Sequence, residues 1–358
     1  MITADLDREL AAALRALTGS GVLPASAASR MPAGTWRPGS NRDPLSYATA
    51  APFEVAGPAG LDAAQVAAAV ADSLRAVPWI ETAAQSGSGY LTITVSDQAL
   101  AASAARMAAA GPACATSTIL RGTVTTVWPW PDLAAARSWQ HAWRLQADAM
   151  IGRLAHAAGA AATDFSGRER AGTPTQPEAT TLSPELGTSL LDAVAYFGAD
   201  SVRYRLARLM PGRPVWPVRP GSGGSDLLYS VQQAHADAGS TLRWAADLGL
   251  APAVSADGLG RQLSSPAERA LLSQLSFLPV RVAAAARRNR PDELPRYLEQ
   301  VSESWLACRL QAPALPFGGQ AAPRDPVRAA ARLALAAATA AVIAAGLTLI
   351  GVAAPDRL

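Results

Sequence analysis

The stretch from Leu333 to Ala354 carries no charged residue and, as a helix, is long enough to cross a bilayer. Such a segment leaves a chain two options: it spans a membrane, or the rest of the fold encloses it. Composition favours the second. Most of its residues are Ala, Thr and Gly, and alanine gains little on transfer into lipid. We therefore expect a buried helix at the carboxyl end and no membrane partner. A helix apolar all round needs neighbours on every side. At 358 residues the chain can supply them, with room for two or three domains. Half of the residues are hydrophobic, but alanine dominates that half, so much of it is helix-forming filler rather than bulky core.

The basic residues exclude several chemistries. There is no lysine, and all 31 basic residues are arginine. A P-loop lysine and a Schiff-base lysine are both impossible. The two cysteines, Cys114 and Cys308, are too few for a disulfide framework and lack metal-ligand spacing. A reduced, cytoplasmic setting is the plain expectation, and no metal or cofactor is expected. The opening residues, MITADLDREL, have acids at once and no apolar stretch after a basic start, so no signal peptide is expected. Net charge is +3 overall, with −1 in residues 1–184 and +4 in residues 185–358. The second half is the better partner for a polyanion, although an ordinary solvated basic surface fits the same numbers.

Three regions follow from pattern. In residues 1–103 we expect an opening helix over Asp7–Leu17 and a Pro, Gly and Ser-rich loop over Gly19–Pro44. A helix over Leu61–Leu74 with Asp62 as N-cap follows, then an alternating strand over Tyr90–Val95. In residues 120–184 a β-branched run, Val124–Trp128, leads through Trp-Pro-Trp-Pro into a helix over Asp132–Ala158, with Gly159 as its stop. Strand, turn and helix in that order open a Rossmann-type nucleotide site, because the helix N-terminus offers free N–H groups to an anion. One strand and one helix cannot form a stable sheet alone, so this piece must pack on a neighbour. In residues 185–358 we expect a helical bundle, with helices over Leu190–Met210, from Leu227, over Pro266–Arg288 and Glu293–Leu310, and the closing helix. A Pro/Gly linker spans Pro211–Gly224. The fold class expected is α+β, mainly α.

Several phrases in the third region occur in a telling order. They are Asp200-Ser201-Val202-Arg203, then Leu227 to Ala236 (LLYSVQQAHA), then a tail with Gly346, Gly351, Ala354-Pro355 and Arg357. In this order they resemble the DALR anticodon-binding domain of arginyl-tRNA synthetases. Tyr47-Ala48-Thr49-Ala50 and GYLTITVSDQAL resemble that family's N-terminal additional domain, which grips the tRNA elbow. The segment from Pro131 to Gly159 resembles its first catalytic strand-to-helix piece, where the family has His-x-Gly-His. Here Ser138, Gln140 and His141 stand at those positions. Ser138 cannot carry charge, and Gln140 puts a side chain where the family's glycine lets backbone lie against adenine. Ser166 to Gly172 faintly echoes the Lys-Met-Ser-Lys-Ser loop with its lysines gone.

On these grounds we expect a protein that is not an enzyme. It would be a non-catalytic relative of arginyl-tRNA synthetase, binding tRNA or a related RNA. Two other readings stay open. One is a protein-interaction scaffold without RNA binding; the other is residual arginine ligation with ATP. Splayed bases are read by stacking and by polar groups. The residues expected to do this are Tyr229, Gln233, His235, Tyr297 and Trp305. Arg281, Arg287, Arg288, Arg290, Arg296 and Arg357 would supply charge. Core packing for the aromatics and solvated helix ends for the arginines remain alternatives. The family's polar positions on the closing helix are Ala337, Ala340, Ala341, Ala344, Ala345 and Thr348 here. We expect that stripe to pack on the central helix or on another chain, such as a second copy.

Overall fold

A computed structural model describes residues 2–28, 33–40, 43–163, 189–209, 227–253, 259–316 and 323–358. In chain order the elements are α1 (Ile2–Gly19), α2 (Ala25–Ala28), β1 (Arg37–Ser40), β2 (Asp43–Thr49), α3 (Ala51–Ala59), α4 (Ala63–Leu74), β3 (Ile80–Ser86), β4 (Tyr90–Val95) and α5 (Asp97–Ala110). A 3-10 turn at Gly111–Ala115 leads to β5 (Val124–Thr126), α6 (Trp139–Ala157), β6 (Ala161–Thr163), α7 (Leu190–Phe197) and α8 (Ala199–Arg208). The remainder is α9 (Leu227–Asp247), α10 (Leu259–Gln262), α11 (Pro266–Ser276), α12 (Leu278–Arg287), α13 (Glu293–Gln311) and α14 (Pro326–Ile350). The chain is 63% helical with a small sheet, α+β and mainly α, as expected. The Ser166–Gly172 echo and the Pro211–Gly224 linker lie outside the described residues.

Two compact units divide the chain. The first comprises Met1–Gly111, Thr241–Val280 and Ser304–Thr339; the second comprises Pro112–Ser240, Arg281–Glu303 and Ala340–Leu358.

The first unit is built on a four-stranded antiparallel sheet in the order β1-β2-β4-β3. Alternation in β4 is clean: Leu91, Ile93 and Val95 are fully buried, whereas Tyr90 is exposed. Asp62 caps α4 by accepting from the Ala64 amide at 2.9 Å, and Ser96 caps α5 through the Ala99 amide. The opening helix starts earlier than expected, at Ile2 rather than Asp7. Ile2, Leu6, Leu10 and Leu14 form one buried stripe at i, i+4 spacing, and Asp5 favours the helix N-terminus. The expected Gly19–Pro44 loop contains α2 and β1. Pro38 hides β1 from a pattern search, and it is tolerated because β1 is an edge strand. The expected Pro266–Arg288 helix is two helices parted at Phe277. Pro279 cannot bond back to a preceding turn, but it fits the first turn of a new helix.

Distant segments close this unit. The Tyr47 ring stacks on Phe277 at 5.2 Å. Ser276 Oγ donates to the Ser273 carbonyl, which leaves Tyr47 OH to donate to Ser276 Oγ at 2.9 Å. Burial pushes the Tyr47 phenol up to about 12. Thr3 Oγ1 donates to the Ser276 carbonyl. Glu268 is 1% exposed. It completes a capping box with Ser265 and accepts from Arg332 Nε at 2.7 Å. Arg332 also donates to the Pro313 carbonyl at 2.9 Å.

In the second unit β5 and β6 pair in parallel, with Val124 opposite Ala161, and α6 is the crossover between them. The strand β6 was not expected; at three residues it is too short to alternate. Gly152 of α6 lies against β5 so closely that a Cβ there would fall on the Thr126 carbonyl. The helix begins at Trp139, seven residues later than expected, because the Ser138 side chain caps it by accepting from the His141 amide. Leu133, Trp139 and Trp143 pack against Leu190, Val202 and Leu206. The expected Leu190–Met210 helix breaks at Gly198, whose φ of 80° other residues rarely adopt.

The end of α14 is fixed by the same unit. Gln146, fully buried, donates its side-chain amide to the Ile350 carbonyl at 2.7 Å. Gly351 has φ +80° and lies against the Trp130 ring, which also carries the Arg153 guanidinium 4.0 Å from its centroid. By length and composition α14 could cross a membrane, yet 67% of its apolar window is buried. Ala345 is buried and Ala337, Ala340, Ala341 and Ala344 are half-buried, leaving Thr348 exposed.

Both cysteines are buried, and burial pushes each thiol up to about 12. At pH 8 the native protein is expected to release almost no chromophore from a disulfide reagent within minutes, and two equivalents after denaturation. Fast reaction of either native thiol would contradict their enclosure.

Candidate nucleic-acid interface

Helix α9 has two faces. Leu228, Val231, Ala234 and Ala238 are buried at helical spacing. Tyr229 is 53% exposed, and Gln233, one turn on, is exposed beside it. An exposed aromatic ring beside an amide is suited to stacking on a base and bonding its edge. The ring stays accessible because the apolar stripe already anchors the helix on its other side.

The chain's last residues run along this helix. Gln232 Nε2 donates to the Ala353 carbonyl at 3.0 Å. His235 is buried, and its Nδ1 lies 2.9 Å from the Pro355 carbonyl. A carbonyl only accepts, so Nδ1 carries the proton. The Ala353 amide donates to Asp200 Oδ2 at 2.9 Å, from the first turn of α8. Val352 is buried, while Arg357, two residues past Pro355, is exposed.

The arginines divide. Asp292, fully buried at the start of α13, accepts Arg290 at 2.7 and 2.8 Å and pairs with Arg296 at 3.4 Å. Arg288 pairs with Glu293 at 3.4 Å. These ion pairs tie the turn between α12 and α13, where Asn289 adopts φ 53°. Arg287 and Arg288 are exposed, and Arg281 is half-buried.

Tyr297 is 2% exposed, and burial pushes its phenol well up. Trp305 is 3% exposed and belongs to the first unit. Rings so enclosed offer no free face to a base, and both pack the core. The structure thus brings Tyr229, Gln233, His235 and the segment bearing Arg357 together. Asp200 and Gln232 were missed, although both sit inside the phrases that carry the resemblance. A short polar side chain at a helix start was the available signal.

The degenerate signature positions are used structurally. Ser138 is the cap of α6, and His141 Nδ1 accepts from the Arg137 amide at 3.2 Å; Gln140 and His141 are half-buried.

The DALR anticodon binding domain family matches residues 231–358. The carboxyl-terminal region therefore carries a DALR anticodon-binding domain. The relatives are more particular: the arginine–tRNA ligase of Micrococcus luteus is 37% identical over 182 residues, covering 47% of this chain and 31% of its own. That of Paenarthrobacter aurescens is 35% identical over 179 residues, 47% of this chain and 30% of its own. The chain spans about a third of the length of the curated relatives it matches. The solved Thermus thermophilus arginyl-tRNA synthetase aligns over 66% of this chain and 40% of its own, at 21% identity and a TM-score of 0.35, too low to bear on architecture.

These relatives correct one expectation. The chain was expected not to be an enzyme, but the proteins it matches at 37% and 35% identity are named as ligases. Substituted side chains at Ser138 and Gln140 are weaker grounds than that relationship. The second signature's counterpart, moreover, lies outside the described residues.

Proposed function

We propose that the DALR domain of this chain binds tRNA through the exposed face of α9 together with the carboxyl-terminal tail. The observation that carries this reading is the family match over residues 231–358, which takes in α9 from Val231 onward and the tail. The exposed Tyr229–Gln233 pair supports it, since an anticodon presents single-stranded bases. Exposed Arg287, Arg288 and Arg357 supply charge for phosphates.

A fluorescence titration with tRNA bearing arginine anticodons tests the reading at two salt concentrations. Binding at micromolar concentration or tighter is expected, weakening as salt rises. Tyr229→Ala removes one stacking platform, worth about 1–3 kcal/mol, or roughly 5- to 150-fold in affinity. It should leave the salt dependence unchanged, because no charge is removed. Failure of the unmodified protein to bind at low salt would overturn the proposal.

A further inference from the structure

We infer that Asp200, Gln232 and His235 are positioning residues that hold the carboxyl-terminal tail as a fixed part of the RNA-contact surface, presenting the Arg357 guanidinium to a phosphate. This rests on the RNA-binding reading above and deepens it. The tail has no regular secondary structure after Gly351, and past the Val352 amide, which donates to the Leu347 carbonyl at 3.0 Å, its backbone groups must find partners outside a helix or strand ladder. Three of them are nevertheless taken up by side chains from two helices: the Ala353 amide by Asp200, its carbonyl by Gln232, and the Pro355 carbonyl by His235. Pro355 adds a fixed φ between the bonds made by Gln232 and His235, stiffening the approach to Arg357. Buried Val352 anchors the near end. Two residues span at most about 7 Å, so the backbone at Arg357 stays close to the α9 turn that carries His235.

Two of the three clamp residues come from α9, the helix that carries the exposed aromatic face. His235 lies two residues beyond Gln233, and Gln232 lies three beyond Tyr229 on α9. Freed, the tail would spread the Arg357 charge over many positions. Clamped, it keeps the charge in one place, which suits the directed hydrogen bonds a guanidinium makes to phosphate.

The test uses the full chain with Asp200→Ala, Gln232→Ala, their double variant, and Arg357→Ala. Asp200 is 37% exposed at its side chain and Gln232 is half-buried, so these changes spare the core. Hydrogen exchange should accelerate at the Ala353 amide at least tenfold in Asp200→Ala. In tRNA titrations the clamp double variant should lose affinity by the same factor as Arg357→Ala. Both should reduce the log–log salt slope by about 0.7, the value for one single-strand phosphate. Adding Arg357→Ala to the clamp double variant should then change little. A purely structural clamp would leave the salt slope intact. Unchanged exchange at Ala353 overturns the inference. So does faster exchange with unchanged affinity and slope, or an Arg357→Ala effect that stays fully additive. If the unmodified protein does not bind tRNA, the broader proposal fails as well. Normal tRNA binding with inert clamp variants sinks this inference alone.

Discussion

Replacing Arg332 with methionine is expected to lower the free energy of unfolding by about 3–5 kcal/mol. The reason is its partner. Glu268 is 1% exposed and accepts from Arg332 Nε at 2.7 Å. Methionine keeps most of the aliphatic packing and removes the charge, leaving a buried carboxylate whose remaining hydrogen bond among the described residues comes from the Ser265 amide at 2.9 Å. The Pro313 carbonyl loses its donor too. The loss should appear as a lower urea midpoint. A Glu268→Gln change on top should recover a large part of it, since the unpaired charge, not a missing attraction, is the main cost. An Arg332→Met variant within about 1 kcal/mol of the parent would contradict the burial of this pair.

Replacing Gly351 with valine should cost about 3 kcal/mol, combining a left-handed backbone with overpacking. Gly351 has φ +80°, and a Cβ there would sit 2.7 Å from the Trp130 ring. The ring cannot retreat freely, because the Arg153 guanidinium lies 4.0 Å from its centroid. A fall in melting temperature of roughly 6 °C is expected. Measuring Gly351→Ala in the parent and again in a Trp130→Ala background separates the two causes, since the second background opens the space and retains the backbone strain. An equal cost in both backgrounds would place the whole cost in the backbone.

The sequence made the strongly patterned elements legible. Asp62 is the N-cap of α4, Tyr90–Val95 is a strand with its odd-numbered residues buried, and the helical third region is helical. Breaks and short strands were not legible. Gly198 and Pro279 each interrupt runs whose apolar spacing continues through the interruption, so periodicity alone bridges them. The strand β1 carries Pro38 and Gly39, residues that read as loop, and its pairing with β2 is set by tertiary structure. Of the candidate site, the exposed residues Tyr229, Gln233 and Arg357 could be named in advance. Burial of Tyr297 and Trp305 could not, because an aromatic at helical spacing looks the same on either face. The role of Asp200 was hidden because its partner, the Ala353 amide, is a backbone group 153 positions away.

The first unit also has a consequence for biosynthesis. Tyr47 and its partner Ser276 are separated by 229 positions. At about 5–20 residues per second, a ribosome needs roughly ten to fifty seconds to deliver the second after the first. During that interval β2 lacks the α11 end that packs on Tyr47, although α3 and α4 are already in place against β3 and β4. Yield in a living host is therefore expected to follow chaperone supply and elongation speed, and overexpression should populate inclusion bodies well before the finished molecule is thermally challenged.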